Sequence, residues 1–287
     1  KDGAVRIWNV HLECTKEITV NSVFPDSGDP SVKAVCFSPD ANNLLIGTRG
    51  AEILEVSVRS GALVGKPLLQ CHGSRELWGL ATHPTKPQFV TSGDDMTIRI
   101  WDAKSFTVTK TLRVDTASRA ICYSPDGKYI CIGFGFGKRV KGKGALKEGS
   151  FTILNSHDLK MAHEGKDSNE PIRVCKFSPD SNWLAIGSED SCIYIYNVRD
   201  YFSKKAAVNV HKAPVMYLDF TADGQYLMSV DSTKRISFSE VHTGMHIPSP
   251  VTLREEKWST WTSPVGWPVQ GLWICQPQDV EPVSMQR

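Results

Sequence analysis

Short apolar segments alternate with turn-forming residues along most of the chain. In three places an apolar, cysteine-containing stretch runs into Ser-Pro-Asp, at residues 38–40, 124–126 and 178–180. Weaker copies of the same pattern lie at residues 80–85 and 218–223. Proline fixes its φ angle, and aspartate or glycine suits the turn position that follows. The pattern predicts a short strand that ends in a tight turn at each of these five places.

A second apolar element follows each turn at a regular spacing. Equivalent positions in this element are Trp8, Val56, Trp101, Leu154, Tyr196 and Phe238. Successive positions lie 42 to 53 residues apart, and the longest step contains a ten-residue insertion at 138–147. A further strand lies between the two elements, as at residues 44–48, and apolar tails such as 107–112 supply a fourth. Four short strands repeating about every 40–45 residues are typical of WD-repeat blades.

The sequence therefore predicts an all-β protein of WD-repeat β-propeller blades, each a four-stranded antiparallel sheet. No 3.6-residue period favours a helical solenoid instead. We expect residues 1–10 to be the last strands of a preceding blade and residues 11–257 to form five WD-type blades. Residues 258–287 are expected to begin an incomplete blade. Propellers usually close with more than five blades, so we expect part of a ring or the junction of two rings, with other blades of the same protein as partners.

One predicted blade carries the side chains of the WD-repeat hydrogen-bond network. They are His72, Asp95 and Trp101, with Thr91 or Ser92 nearby. The histidine is expected to reach the turn aspartate, while the hydroxyl and the indole N–H complete the network. His211 opens another blade in the same way. A His/Asp/Ser set also suits a hydrolase triad, but the spacing matches a WD blade, so we assign a structural role.

Charge and hydropathy exclude several classes of partner. The chain has 33 basic and 31 acidic residues, for a net charge of +2, so no overall field attracts nucleic acid or a membrane surface. No apolar run approaches the ~20 residues that span a bilayer. Residues 1–3 have neither the charge pattern nor the apolar core of a signal peptide.

The eight cysteines do not form a metal-binding motif in the sequence. None pair as C-x-x-C, and no histidine cluster lies beside them at zinc spacing. Cys36, Cys122 and Cys175 each fall beside or within an apolar strand pattern, where a free thiol behaves as a small buried apolar group. We therefore expect no metal, no cofactor, few or no disulfides, and a reducing compartment.

Residues 258–273 contain four of the eight tryptophans, which is unlike a generic WD repeat. The segment resembles the echinoderm microtubule-associated protein-like family, whose second propeller carries W-x-x-(aromatic)-T-x-x-x-G-(aromatic)-x-V-x-G-x-W. Residues 45–48, 77–84 and 190–196 are also similar to that family. The resemblance implies part of a tandem atypical propeller that binds tubulin and microtubules. It places the protein in the cytoplasm and cytoskeleton, with the axoneme of a cilium or flagellum as a further setting.

A group of basic and aromatic side chains forms the candidate partner-binding set: Lys138, Arg139, Lys141, Lys143, Lys147, Trp258 and Trp261. The basic insertion suits an acidic surface such as tubulin, and a solvated loop is the alternative. Residues 137–143 also satisfy G-x-x-x-x-G-K. A phosphate-binding loop needs serine or threonine next and a helix after it, but Gly144 follows.

No nucleophile, carboxylate pair or metal ligand set sits in a plausible catalytic constellation, so we expect no catalytic residues and no enzyme activity. The favoured function is a microtubule-associated scaffold that binds tubulin, microtubules or axonemal proteins. The alternative is a WD-repeat scaffold of a non-cytoskeletal assembly, such as a ubiquitin-ligase or trafficking complex.

Overall fold

The computed structural model describes residues 2–73, 76–135, 147–260 and 263. Its strands form six antiparallel sheets that follow one another in chain order, and we number them I to VI. The predicted all-β fold of propeller blades is confirmed. The described part of the chain contains two helices, a four-residue α1 (Val20–Val23) and a 3-10 helix (Pro250–Leu253). Among the described residues, no helix has the length and apolarity needed to cross a bilayer.

Sheets II to V have four strands each, whereas sheet I has two and sheet VI has three among the described residues. Sheet I contains β1 (Ala4–Trp8) and β2 (Cys14–Thr19). Sheet II contains β3 (Val32–Phe37), β4 (Asn43–Thr48), β5 (Glu52–Ser57) and β6 (Leu69–Gln70). Sheet III contains β7 (Leu77–Thr82), β8 (Gln88–Gly93), β9 (Thr97–Asp102) and β10 (Val108–Arg113). Sheet IV contains β11 (Ser118–Tyr123), β12 (Tyr129–Phe134), β13 (Ser150–Asn155) and β14 (Met161–Lys166). Sheet V contains β15 (Ile172–Phe177), β16 (Trp183–Ser188), β17 (Ile193–Asn197) and β18 (Ser203–Val208). Sheet VI contains β19 (Val215–Phe220), β20 (Tyr226–Asp231) and β21 (Ile236–Glu240).

The connections of these sheets separate into two ends. We define the upper end as the one where the second strand connects to the third and where the chain passes to the next sheet. The lower end holds the turns between the first and second strands and between the third and fourth. In sheet IV the β12–β13 connection, which contains the basic insertion, therefore lies at the upper end.

The Ser-Pro-Asp turns lie at the lower end, where their side chains hold the turn together. Between β11 and β12, Ser124 Oγ donates to Asp126 Oδ1 at 2.6 Å and accepts the backbone N–H of Tyr129 at 2.9 Å. Gly127 follows at a φ of 72°, a conformation that glycine adopts without a steric penalty. The turn chemistry in the sequence thus fixes where the first strand ends and the second begins.

Sheets III to VI pack face to face through shared apolar cores. Their first strands β7, β11, β15 and β19 lie side by side. A Cβ atom built on Gly187 of sheet V would lie 2.7 Å from Val215 Cγ1 of sheet VI. A Cβ atom on Gly133 of sheet IV would lie 2.8 Å from Ile172 Cβ of sheet V. Each of these glycines lies one residue before the end of the second strand of its sheet. Glycine there allows neighbouring sheets to approach closely.

Sheets II and III do not pack in this way. Gly47 occupies in sheet II the position that Gly133 and Gly187 occupy in their sheets. Among the described residues, a Cβ atom there would meet only Ala34 of its own sheet, 3.7 Å away. One core cluster joins sheet I to sheet II and others join sheets III to VI, but none of those formed by described residues joins II to III. We call this boundary the II–III seam.

Candidate interaction surfaces

The side chains predicted to form the WD-repeat network lie together in sheet III. The indole N–H of Trp101 donates to Thr91 Oγ1 at 2.7 Å, and Thr91 Oγ1 lies 2.7 Å from His72 Nε2. An indole N–H can only donate, so Thr91 keeps its own proton for His72 Nε2. The other ring nitrogen, Nδ1–H, then donates to Asp95 Oδ1 at 2.9 Å. The four side chains form one directional chain of hydrogen bonds.

Asp95 is the end point of this chain and organises the upper end of sheet III. Its carboxylate accepts the backbone N–H of Gly73 at 3.1 Å and the hydroxyl of Thr97 at 2.8 Å. Burial opposes ionisation of Asp95, but the hydrogen bonds from His72, Thr97 and Gly73 outweigh it and lower the pKa of Asp95 to about 2. The ionised carboxylate therefore ties the incoming chain at Gly73 to the β8–β9 turn.

Sheet VI carries a second network of the same kind, as predicted for His211. His211 Nδ1 lies 3.1 Å from Asp231 Oδ2, and Nε2 lies 2.7 Å from Ser229 Oγ. All three side chains are buried. Burial lowers the pKa of His211, although the hydrogen bond to Asp231 opposes this, and the lowered pKa favours the neutral ring. A neutral ring can donate to the carboxylate and accept from the hydroxyl at the same time.

Neither network has the features of a hydrolytic site. Thr91 is 3% exposed, and its hydroxyl is already committed to His72 and Trp101. A catalytic triad needs a nucleophile that substrate can reach. The geometry therefore supports a structural role, in which the networks fix the turns of the upper end.

Glu52 has a comparable function in sheet II, which the sequence did not reveal. Its carboxylate is 2% exposed and accepts Ser27 Oγ at 3.0 Å and the backbone N–H of Gly28 at 2.9 Å. It also pairs with the hydroxyl of Thr48. Glu52 lies at the start of β5, where sheet III has Thr97, so it does not match the turn aspartate of a WD repeat. The available signal was an acid at the start of a strand whose next two residues, Ile53 and Leu54, are apolar.

The basic insertion leaves sheet IV at the upper end. Of its five candidate cations only Lys147 lies within the described residues; Lys138, Arg139, Lys141 and Lys143 lie outside them. The backbone N–H of Lys147 donates to Thr116 Oγ1 at 3.0 Å, and its ammonium group lies 2.5 Å from Glu164 Oε1. Lys147 is therefore anchored to its own sheet.

Trp258 is not an exposed anchor for a partner, and the sequence-based expectation for it is wrong. It is 3% exposed and packs in an apolar cluster with Phe238 and Leu253. Its ring lies 5.7 Å from that of Phe238, centroid to centroid. Trp258 therefore completes the core on the outer face of sheet VI, while Trp261 lies outside the described residues.

Apolar side chains are exposed instead on the first strands of sheets II and III. Phe37 on β3 is 54% exposed, Leu80 on β7 is 64% exposed, and Trp78 on β7 is 44% exposed. The guanidinium of Arg119 lies 4.3 Å above the Trp78 ring and makes hydrogen bonds of 2.9 and 2.8 Å to both oxygens of Asp94. Large exposed apolar surface is typical of contact sites between proteins or domains. The two strands are therefore candidate contact surfaces beside the II–III seam.

Comparisons with known proteins match this architecture to one family. The family model described as "Echinoderm microtubule-associated protein second beta-propeller" matches residues 77–286. Echinoderm microtubule-associated protein-like 1 of Rattus norvegicus is 31% identical over 237 residues, which are 81% of this chain and 27% of that protein. Echinoderm microtubule-associated protein-like 2 of Homo sapiens is 30% identical over 276 residues, or 95% of this chain and 39% of that protein.

A similar relationship links the chain to the 77 kDa echinoderm microtubule-associated protein of Lytechinus variegatus. The two are 30% identical over 279 residues, which are 95% of this chain and 38% of that protein. The chain thus spans between about a quarter and two fifths of the length of these curated relatives. Since the family model covers most of the chain, the chain belongs to the echinoderm microtubule-associated protein-like family.

Proposed function

We propose that the chain is part of a non-enzymatic, microtubule-associated scaffold whose upper end contacts tubulin or axonemal proteins. Membership of a family whose relatives are named microtubule-associated proteins supports this assignment. The buried networks of sheets III and VI support it as well, because they provide fixed turns for binding rather than an accessible catalytic group. The setting is the cytoplasmic cytoskeleton, including a cilium where one is present.

The observation that carries the proposal is the position of the basic insertion. It contains five cations within ten residues and lies in the connection between β12 and β13, at the upper end of sheet IV, in a protein of net charge only +2. Local charge on a nearly neutral protein selects a partner surface of opposite sign without attracting anions everywhere. Tubulin supplies an acidic surface of that kind.

Reversing charge in the insertion tests the proposal. The double variant Lys141→Glu, Lys143→Glu is compared with the wild type by co-sedimentation with microtubules across a salt titration. An exposed ion pair is worth up to about 1 kcal/mol, so loss of the pairs should weaken binding by about tenfold at low salt. The salt dependence should also become shallower, because screening then acts on fewer attractive charges.

The matched control is Lys128→Glu, Lys160→Glu, which makes the same charge change on the same sheet at its lower end. Within the part of the chain that the structure describes, these two lysines form ion pairs only with exposed acids of their own turns, Asp126 and Asp158. Their reversal should leave binding within about twofold. Equal weakening by both double variants would show that net charge, and not the insertion, determines binding. A wild-type chain that does not pellet with microtubules would favour a non-cytoskeletal WD-repeat assembly.

A further inference from the structure

Three cysteines from two neighbouring sheets meet in the core between sheets IV and V. Cys122 on β11 and Cys131 on β12 are direct cross-strand partners, so their side chains leave the same face of sheet IV. Cys175 on β15 faces them from sheet V, and its thiol lies 3.7 Å from the backbone oxygen of Cys131. The three sulfur atoms all lie within 4.8 Å of one another.

The surroundings of the cluster are apolar. Cys131 is fully buried and Cys175 is 5% exposed, within a core that includes Phe151, Ile153 and Ile186. Cys122 packs against the same core and is partly buried. All three are free thiols in the structure. Thiols that serve only as small apolar groups in a core do not need to lie this close to one another.

Three sulfur atoms that lie this close together form a donor set suited to a thiophilic d10 metal ion. Soft thiolates favour Zn²⁺ and Cu⁺ over harder ions such as Mg²⁺ or Ca²⁺. An ion about 2.3 Å from each of three sulfur atoms in one plane requires those atoms to be about 4.0 Å apart. The cluster, within 4.8 Å, needs shifts of less than about 1 Å to reach this geometry.

We propose that Cys122, Cys131 and Cys175 form a three-thiolate site for a d10 metal ion that links sheets IV and V. For a divalent ion, binding replaces three S–H bonds with three metal–sulfur bonds and releases three protons to solvent, with no change in oxidation state. The product carries one negative charge. Lys176, next to Cys175 in the chain, provides a nearby positive charge, which it shares with Asp219.

Cadmium titration of the reduced, metal-free 287-residue chain tests the site. Cd²⁺ is a d10 ion whose bond to thiolate gives an ultraviolet charge-transfer band. We expect one equivalent to bind, release about three protons and raise the melting temperature of the protein. The variants Cys122→Ser and Cys175→Ala should lose the band, whereas Cys36→Ser, an exposed thiol on β3, should keep it. Because Cys122 is only partly buried, its variant remains informative if the Cys175 variant does not fold.

Competition then identifies the physiological ion. Displacement of Cd²⁺ by Zn²⁺ or by Cu⁺, together with the metal content of protein purified without added metal, distinguishes the two. The proposal is overturned if the wild type binds no stoichiometric Cd²⁺, or if Cys122→Ser binds it as the wild type does. A Cys122–Cys131 disulfide in protein isolated from a reducing compartment would also overturn it.

Discussion

Thr91 joins the hydrogen-bond network of sheet III, because it contacts both the indole of Trp101 and the imidazole of His72. At 3% exposure it lies where water cannot readily replace its hydroxyl. A buried polar group that loses its partner costs more free energy than the hydrogen bond itself contributes. The stability of the upper turn of sheet III therefore depends on this uncharged side chain.

Replacing Thr91 with valine, which has nearly the same shape, should lower the free energy of unfolding by about 1–3 kcal/mol. The loss is measured by urea denaturation. Ser92→Ala is the matched control, since Ser92 is buried beside Thr91 and its Oγ has no hydrogen-bond partner among the described residues. The control should change stability by less than about 0.5 kcal/mol. Similar losses in both variants would contradict the network.

The sequence predicts individual residues well where the repeat fixes their spacing. His72, Asp95 and Trp101 lie together because a WD blade places them at set offsets. The register of β21 shows the limit, since Ser239 and not Phe238 occupies the position equivalent to Trp101. A shift of one residue moves a side chain to the opposite face of a strand.

The burial of Trp258 shows a second limit of residue-level prediction. Its indole packs against side chains of sheet VI and of the 3-10 helix that precedes it. These contacts depend on where the chain crosses the sheet, and no local sequence pattern predicts that path. A tryptophan-rich segment therefore predicts an unusual element, but it does not predict which rings are exposed.

Strands were the most predictable elements, because alternation and turn chemistry are local properties. The tail predicted at residues 107–112 is β10 (Val108–Arg113), whereas the fourth strand of sheet II is only the two-residue β6. Contacts between sheets were not predictable in the same way. Cys122 and Cys175 differ by one position relative to the Ser-Pro-Asp turn, which places them on opposite faces of equivalent strands. They face each other only because sheet V follows sheet IV around the ring.

Sheets II, IV and V each have a glycine at the same position of the second strand. Replacing that glycine with alanine measures how tightly the sheet packs against the next one. Gly133→Ala and Gly187→Ala should each lower the free energy of unfolding by about 1–3 kcal/mol, because the new methyl group meets the next sheet. Gly47→Ala should change stability by less than about 0.5 kcal/mol, since its Cβ would meet only Ala34 at 3.7 Å among the described residues. Urea unfolding of the three variants gives the comparison. A loss at Gly47 equal to the other two would show that sheets II and III pack as the others do.

The II–III seam bears on the organisation of the whole molecule. The sequence predicts five blades over residues 11–257, in part of one ring or across the junction of two rings. We propose that the boundary between two propeller units lies between Gly73 and Leu77. The family model for the second propeller begins at Leu77, directly after the seam, and the exposed apolar side chains on β3 and β7 lie beside it. The Gly47 result tests this division, which the sequence left open because repeats on both sides of the seam look alike.

In the assembly with its partner, we expect the upper end of the blades to face the partner. Lysine-directed cross-linking of the chain bound to microtubules, read by mass spectrometry, tests this most directly. Lysines occur at both ends: Lys147, Lys212 and Lys234 at the upper end, and Lys86, Lys104, Lys128 and Lys160 at the lower end. We expect cross-links to tubulin from the upper lysines and from the insertion. Cross-links that come mainly from the lower lysines would contradict it.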